Sequence, residues 1–173
     1  MRSRLRTVSA TACVLVAGIV ADAGIAQAAK IAGIISTTTA ITEDSQLVGD
    51  VTCTVTGVPC LDITASKVTL DLNGYSITGL ADPKTGCSGA NATGAEHGIR
   101  VQNQTGVVIR GPGIIQQFRN HGILITGSSG GTVNAVTTAT NCMSGILVAG
   151  PSNVLENNVS VANGNLSAPC GGI

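Results

Sequence analysis

His97-Gly98-Ile99-Arg100-Val101, His121-Gly122-Ile123-Leu124-Ile125 and Ser144-Gly145-Ile146-Leu147-Val148 are three versions of one segment, and Gly171-Gly172-Ile173 opens a fourth. Their glycines are spaced by 24, 23 and 27 residues. A period of this length marks repeats in which each unit buries its apolar side only against its neighbours. In the three full copies, the first and third residues after the glycine are aliphatic and share one side of a short strand. Polar turns rich in Gly, Ser and Asn follow at 102–106, 126–131 and 149–153, and then a second short strand such as Val107-Val108-Ile109.

A weaker copy lies upstream. Leu61-Asp62-Ile63 aligns with Ile99-Arg100-Val101, Val68-Thr69-Leu70 with Val107-Val108-Ile109, and Asn73-Gly74 with Pro112-Gly113, at offsets of 38 to 39 residues. The excess over the usual period predicts an inserted loop at about 80–96, rich in Gly, Pro, Asn and Ala. Strands of three to five residues, without any ten-residue helical periodicity, cannot bury an apolar side alone. Stacking the repeats about 4.8 Å apart pairs each strand in parallel with its copies and encloses a column of Ile, Val and Leu. The expected fold is an all-β parallel solenoid of about 4 to 5 coils, broken off where Gly171-Gly172-Ile173 begins another.

Composition agrees with that core. The 173 residues are 43% hydrophobic, 10% charged and 1% aromatic, with nine charges of each sign. Disorder is excluded by this hydrophobicity and balance. With one Phe, one Tyr and no Trp, the interior has to be thin layers of Val, Ile, Leu, Ala and Thr.

The first 28 residues read as an export signal. Arg2, Arg4 and Arg6 precede an apolar run from Ala12 to Val20, and Ala26-Gln27-Ala28 places small residues at the −3 and −1 positions of a cleavage site. That run is too short to span a bilayer, so no transmembrane segment is expected. Cys13 precedes most of the apolar run, which argues against lipidation. The expected division is 1–28 signal peptide, 29–52 N-terminal cap or first coil, and 53–173 coils. Cleavage after Ala28 leaves 145 residues with six basic and eight acidic side chains. No basic face or aromatic platform remains, so nucleic acid is not an expected partner.

Val68-Thr69-Leu70-Asp71-Leu72-Asn73-Gly74, the repeated Gly-Ile openings and the Asn-rich stretches Asn157-Asn158 and Asn163-Gly164-Asn165 resemble the right-handed parallel β-helix repeat family, the pectin-lyase-like superfold with its NosD-type members. The resemblance covers roughly Val51 to Ile173. It implies a right-handed β-helix but no single activity, because that superfold carries lyases, hydrolases, epimerases, adhesins and scaffolds alike.

Five cysteines follow the signal. Cys53 and Cys60 flank the turn Thr56-Gly57-Val58-Pro59 and are the favoured disulfide. Cys142 and Cys170 precede neighbouring coil openings and form a second candidate pair, with Cys87 of the insertion as competitor. No Cys or His spacing suits zinc, and no cofactor is expected.

Stacking also selects the chemical candidates. Asp62 falls under Arg100 and Asp71 under Arg110, and each pair reads first as an ion pair between coils. Pectate lyases of the resembled fold use an arginine base beside calcium-bound carboxylates, but the row above Arg100 continues as Leu124 and Leu147. His97 and His121 also stack, with Glu96 and Arg119 near them. A histidine pair on an open edge suits acid–base work, although Ser144 and Gly171 at the same position favour a turn role. The close carboxylates of a polygalacturonase-like hydrolase are not visible. Asp82, Lys84 and Glu96 in or beside the insertion read as solvated charges. Asn91, Asn103, Asn158 and Asn165 begin Asn-x-Ser/Thr sequences and read, in a bacterial exported chain, as turn formers bonding to the coil above.

Two functions are expected. The first is a secreted or periplasmic scaffold or adhesin-like module without a clear catalytic site. The alternative is a polysaccharide-active protein, lyase-like or hydrolase-like, with polysaccharide as the partner. Stacking on another chain at the C-terminal end is a further expected contact.

Overall fold

The computed structural model describes residues 27–81, 87 and 95–164. The expected signal up to residue 26, most of the insertion, Asn91, Asn165, Cys170 and the last Gly-Ile opening lie outside the described residues.

All regular structure among the described residues is β, in parallel strands forming curled sheets compatible with a β-helix or solenoid. β1 is Ala29–Ile35, β2 Thr39–Ile41 and β3 Ser45–Cys53. Four sets of three follow. They are β4 Leu61–Ile63, β5 Thr69–Asp71, β6 Ser76–Thr78; β7 Ile99–Gln102, β8 Val108–Arg110, β9 Ile114–Gln116; β10 Ile123–Thr126, β11 Thr132–Asn134, β12 Thr137–Ala139; and β13 Ile146–Ala149, β14 Val154–Glu156, β15 Val159–Val161. One sheet runs β13-β10-β7-β4-β2, and a ten-stranded one runs β14-β11-β8-β5-β3-β6-β9-β12-β15, with β1 on β3. β3 links the halves of the larger sheet because it pairs with β5 through Ser45–Leu70 and with β6 through Val51–Ile77. Later coils turn a corner where β3 runs through.

The sequence register sets the pairing. Ile123 lies opposite Ile99 and Ile146, and Leu61 opposite Ile99 across the insertion. Leu61, Ile99, Ile123 and Ile146 are each at most 1% exposed and stack as one column of the core. Leu70, Ile109 and Val133 form a second column, and Ile77 and Ile115 a third that becomes polar at the fully buried Thr138. Each buried aliphatic residue contributes about 1.5–3 kcal/mol of transfer free energy.

The recurrent glycine has a steric reason. A Cβ on Gly98 would lie 2.6 Å from the Gly122 carbonyl oxygen, and one on Gly122 would lie 2.7 Å from that of Gly145. Only a bare backbone lets these coils close to hydrogen-bonding distance, as in Ile99 N–H to Gly122 O at 2.9 Å.

Two disulfides are present among the described residues. Cys53 is bonded to Cys60, and Cys87 to Cys142. The candidate pair Cys142 and Cys170 is therefore corrected. Cys87 packs with Ala81 and the fully buried Cys142, and one sulfur forms one disulfide.

Candidate functional site

The chemically capable side chains sit where one coil meets the next. Asp62 and Arg100 occupy directly opposed positions on β4 and β7. Arg100 donates from Nε to Asp62 Oδ1 at 2.9 Å and from Nη2 to Oδ2 at 2.6 Å, a two-pronged contact. Arg100 is held above its usual pKa, first by this hydrogen bond and against a smaller opposing effect of burial. Ala40 lies below Asp62, and Leu124 and Leu147 continue the row above Arg100. Asp71 and Arg110 repeat the arrangement on β5 and β8 at 2.8 Å, with the arginine more than half exposed.

His97 and His121 lie one coil apart, with ring centroids 5.5 Å apart and planes 9° from parallel. They are 5% and 8% exposed, so the expected open edge is corrected. The turn before β7 packs into the stack. Burial pushes His97 down to about 4, helped by the nearby His121 and Arg100 and opposed by Asp62; burial also lowers His121. Both rings are neutral at pH 7. Nδ1 of His121 accepts the Ser144 N–H at 3.2 Å, which assigns its proton to Nε2. Nδ1 of His97 is buried without a hydrogen-bond partner.

Glu96 does not serve the histidines. Its Oε2 accepts from Arg119 Nη1 at 2.8 Å, and its Oε1 accepts the N–H of Gly57, in the loop closed by Cys53 and Cys60, at 2.8 Å. Glu96, expected as a solvated charge, has a side chain only 11% exposed. Residues 96 and 119 are separated by one repeat, the signal that pairs them.

Asparagines form a second system, and Asn158, expected to bond to the coil above, bonds instead to the coil before it. At four corners the chain passes through a left-handed residue, namely Gln117, Gly130, Ala135 and Thr140, with φ between 53° and 62°. The next N–H, of Phe118, Gly131, Val136 or Asn141, is accepted by Oδ1 of Asn141, Asn153, Asn158 or Asn163, respectively. The same four amides donate from Nδ2 to the carbonyls of Ile115, Ser128, Val133 and Thr138. Each asparagine therefore reaches back to the preceding coil, not onward to the next. It supplies there the donor and acceptor that a left-handed corner takes out of the strand ladder.

Asp44, Ser45, Gln46, Thr69, Asp71, Arg110 and Ala28 line a polar cavity of about 200 Å³ at the start of β1. Among the described residues no group of three or more His, Cys, Asp or Glu is placed to hold a metal ion, and no helix is long and apolar enough to cross a membrane. The chain matches no protein family, no curated protein and no solved structure.

Proposed function

We propose that the chain is a non-catalytic scaffold or adhesin-like module of the right-handed parallel β-helix type, exported to the periplasm or cell exterior. One observation carries the reading: among the candidate side chains the carboxylates are engaged in joining coils and the histidines are buried. Asp62, Asp71 and Glu96 each pair with the arginine one coil on, and both histidines are buried and neutral at pH 7. A catalytic base has to reach its substrate's proton, and His97 and His121 are closed to a polymer chain.

The right hand follows from the strong steric preference of parallel crossovers for that sense. Export is supported by two disulfides and by a strand ladder that starts at Ala29, directly after the small-residue pattern. Among the described residues β13, β14 and β15 are paired on one side only, and such open edges are templates for another chain. End-to-end stacking is the assembly mode this favours.

The test is incubation of the mature chain with polygalacturonate and with alginate, with and without Ca²⁺, while unsaturated uronate absorbance is followed. The scaffold reading predicts no signal. Activity lost in Arg100→Ala, His97→Ala or His121→Ala would overturn it in favour of a polysaccharide-active protein.

A further inference from the structure

Ala29 is the first residue of β1, and its N–H donates to the Asp44 carbonyl oxygen at 2.8 Å. The neighbouring Ala28 lines the 200 Å³ cavity together with Asp44, Asp71 and Arg110. Arg110 pairs with Asp71, while Asp44 Oδ1 accepts only a neutral donor in the contacts described, the N–H of Thr69 at 2.7 Å. Two carboxylates against one guanidinium give the cavity a net charge of −1, and the peptide bond that joins its lining residue Ala28 to Ala29 carries the nitrogen already held by Asp44 O.

We propose that this cavity is the receptor for the chain's own α-ammonium group, created when a signal peptidase cuts between Ala28 and Ala29. The inference rests on the export reading above. Hydrolysis of that amide consumes one water and leaves a carboxylate on Ala28 and an amine on Ala29, which takes up a proton at neutral pH. The nitrogen stays in its strand position on Asp44 O. It gains further N–H donors and a positive charge that brings the cavity to neutrality. Departure of Ala28 vacates part of the lining. Cleavage thereby fastens β1, the first strand, to the coil formed by β3 and β5, so a processed chain is held more firmly than its precursor.

The charge is stabilising only while the amine is protonated. An ammonium facing a net negative cavity has its pKa raised above the ordinary 7.7–8.0 of an α-amino group. Its contribution is complete below that range and disappears as pH rises through the raised value.

The experiment uses the chain from Ala29 onward, released by a site-specific protease, with its amine free or acetylated. At pH 7 the free form is expected to melt about 2–4 °C higher, the shift of roughly one ion pair in a chain of this size. The difference should vanish near pH 10, and Asp44→Asn should shrink it at pH 7. Because Asp44→Asn also alters the bond to Thr69, the acetylation comparison is the primary measurement. Equal melting of free and acetylated chains at pH 7 would overturn the proposal. Mass spectrometry of the protein exported from a bacterial host checks the export reading separately. A mature chain starting elsewhere removes that reading, whereas a start at Ala29 with acetylation-insensitive melting removes the cavity's role alone.

Discussion

From β4 to the turn before β10, successive coils are joined by charge: Asp62 to Arg100, Asp71 to Arg110 and Glu96 to Arg119. From the turn after β9 to β15 they are joined by amides, through Asn141, Asn153, Asn158 and Asn163. The sequence changes character at the same place, since Glu156 is the only charged side chain after Arg119. Both devices serve one geometric need, fixing a residue to its copy one repeat away. They differ in physics. An ion pair at a coil face is weakened by salt and by pH, whereas an asparagine amide satisfies a backbone donor and acceptor at once and responds to neither. The ties of the early coils are thus tunable by salt, and the asparagine ties of the late coils are not.

The largest test removes the covalent tie between the two halves. Cys87 and Cys142 are separated by 55 residues, and the chain-entropy relation assigns their bond about 4 kcal/mol, against about 2.5 for Cys53 and Cys60 at a separation of 7. Denaturant melting of a Cys87→Ala/Cys142→Ala variant should therefore lose more stability than Cys53→Ala/Cys60→Ala. The opposite order would mean that the insertion is not held to the late coils.

Asn141 comes next. It is fully buried and bonds the Phe118 N–H, the Ile115 carbonyl and Asn163. Asn141→Ala leaves an orphaned donor and acceptor and should cost about 3 kcal/mol by equilibrium unfolding, unchanged between low and high salt. A cost that falls with salt would erase the distinction between the halves.

His97 sets the pH response of the early coils. Its folded pKa of about 4 lies below the unfolded 6.5, so the neutral ring's contribution is present above pH 6.5 and is lost as pH falls through 4. The loss should reach on the order of 2–3 kcal/mol, and His97→Gln should flatten the stability profile between those pH values. An unchanged slope in that variant would assign the acid response to His121 or to carboxylates instead.

The smallest effects separate two ion pairs of the same design. Arg100→Ala leaves Asp62, with its side chain 15% exposed, unpaired and should cost about 2 kcal/mol. Arg110 is 58% exposed, and Arg110→Ala should cost less than about 1 kcal/mol, vanishing in high salt.

Much of the coil register was legible in one residue type. Glycine at 98 and 122 is demanded by the carbonyl of the next coil, so its spacing reports the stacking directly. The 38-residue offset from Leu61 to Ile99 likewise exposed the insertion and aligned Asp62 with Arg100. Burial at the corners was less legible. His97 and His121 occupy a turn by sequence, and only the packing of that turn into the stack closes the edge. Asn153, Asn158 and Asn163 recur every five residues, yet the direction of their bonds depends on which backbone groups the left-handed corners release. Cys87 sits in a segment without periodicity, so no register argument could choose it over Cys170.

Positions one repeat apart are stacked neighbours. Ala40, Asp62, Arg100, Leu124 and Leu147 follow one another across five adjacent strands. Nitroxide labels on Ala40→Cys and Leu147→Cys, in a chain with Cys170→Ser, are therefore separated by four strand spacings, roughly 19 Å between Cα atoms. Pulsed electron–electron resonance should give one narrow distance near that value, shortening by about 4.8 Å when the first label moves to Asp62→Cys. A broad distribution, or a distance that does not shorten on that move, would contradict the stacked arrangement.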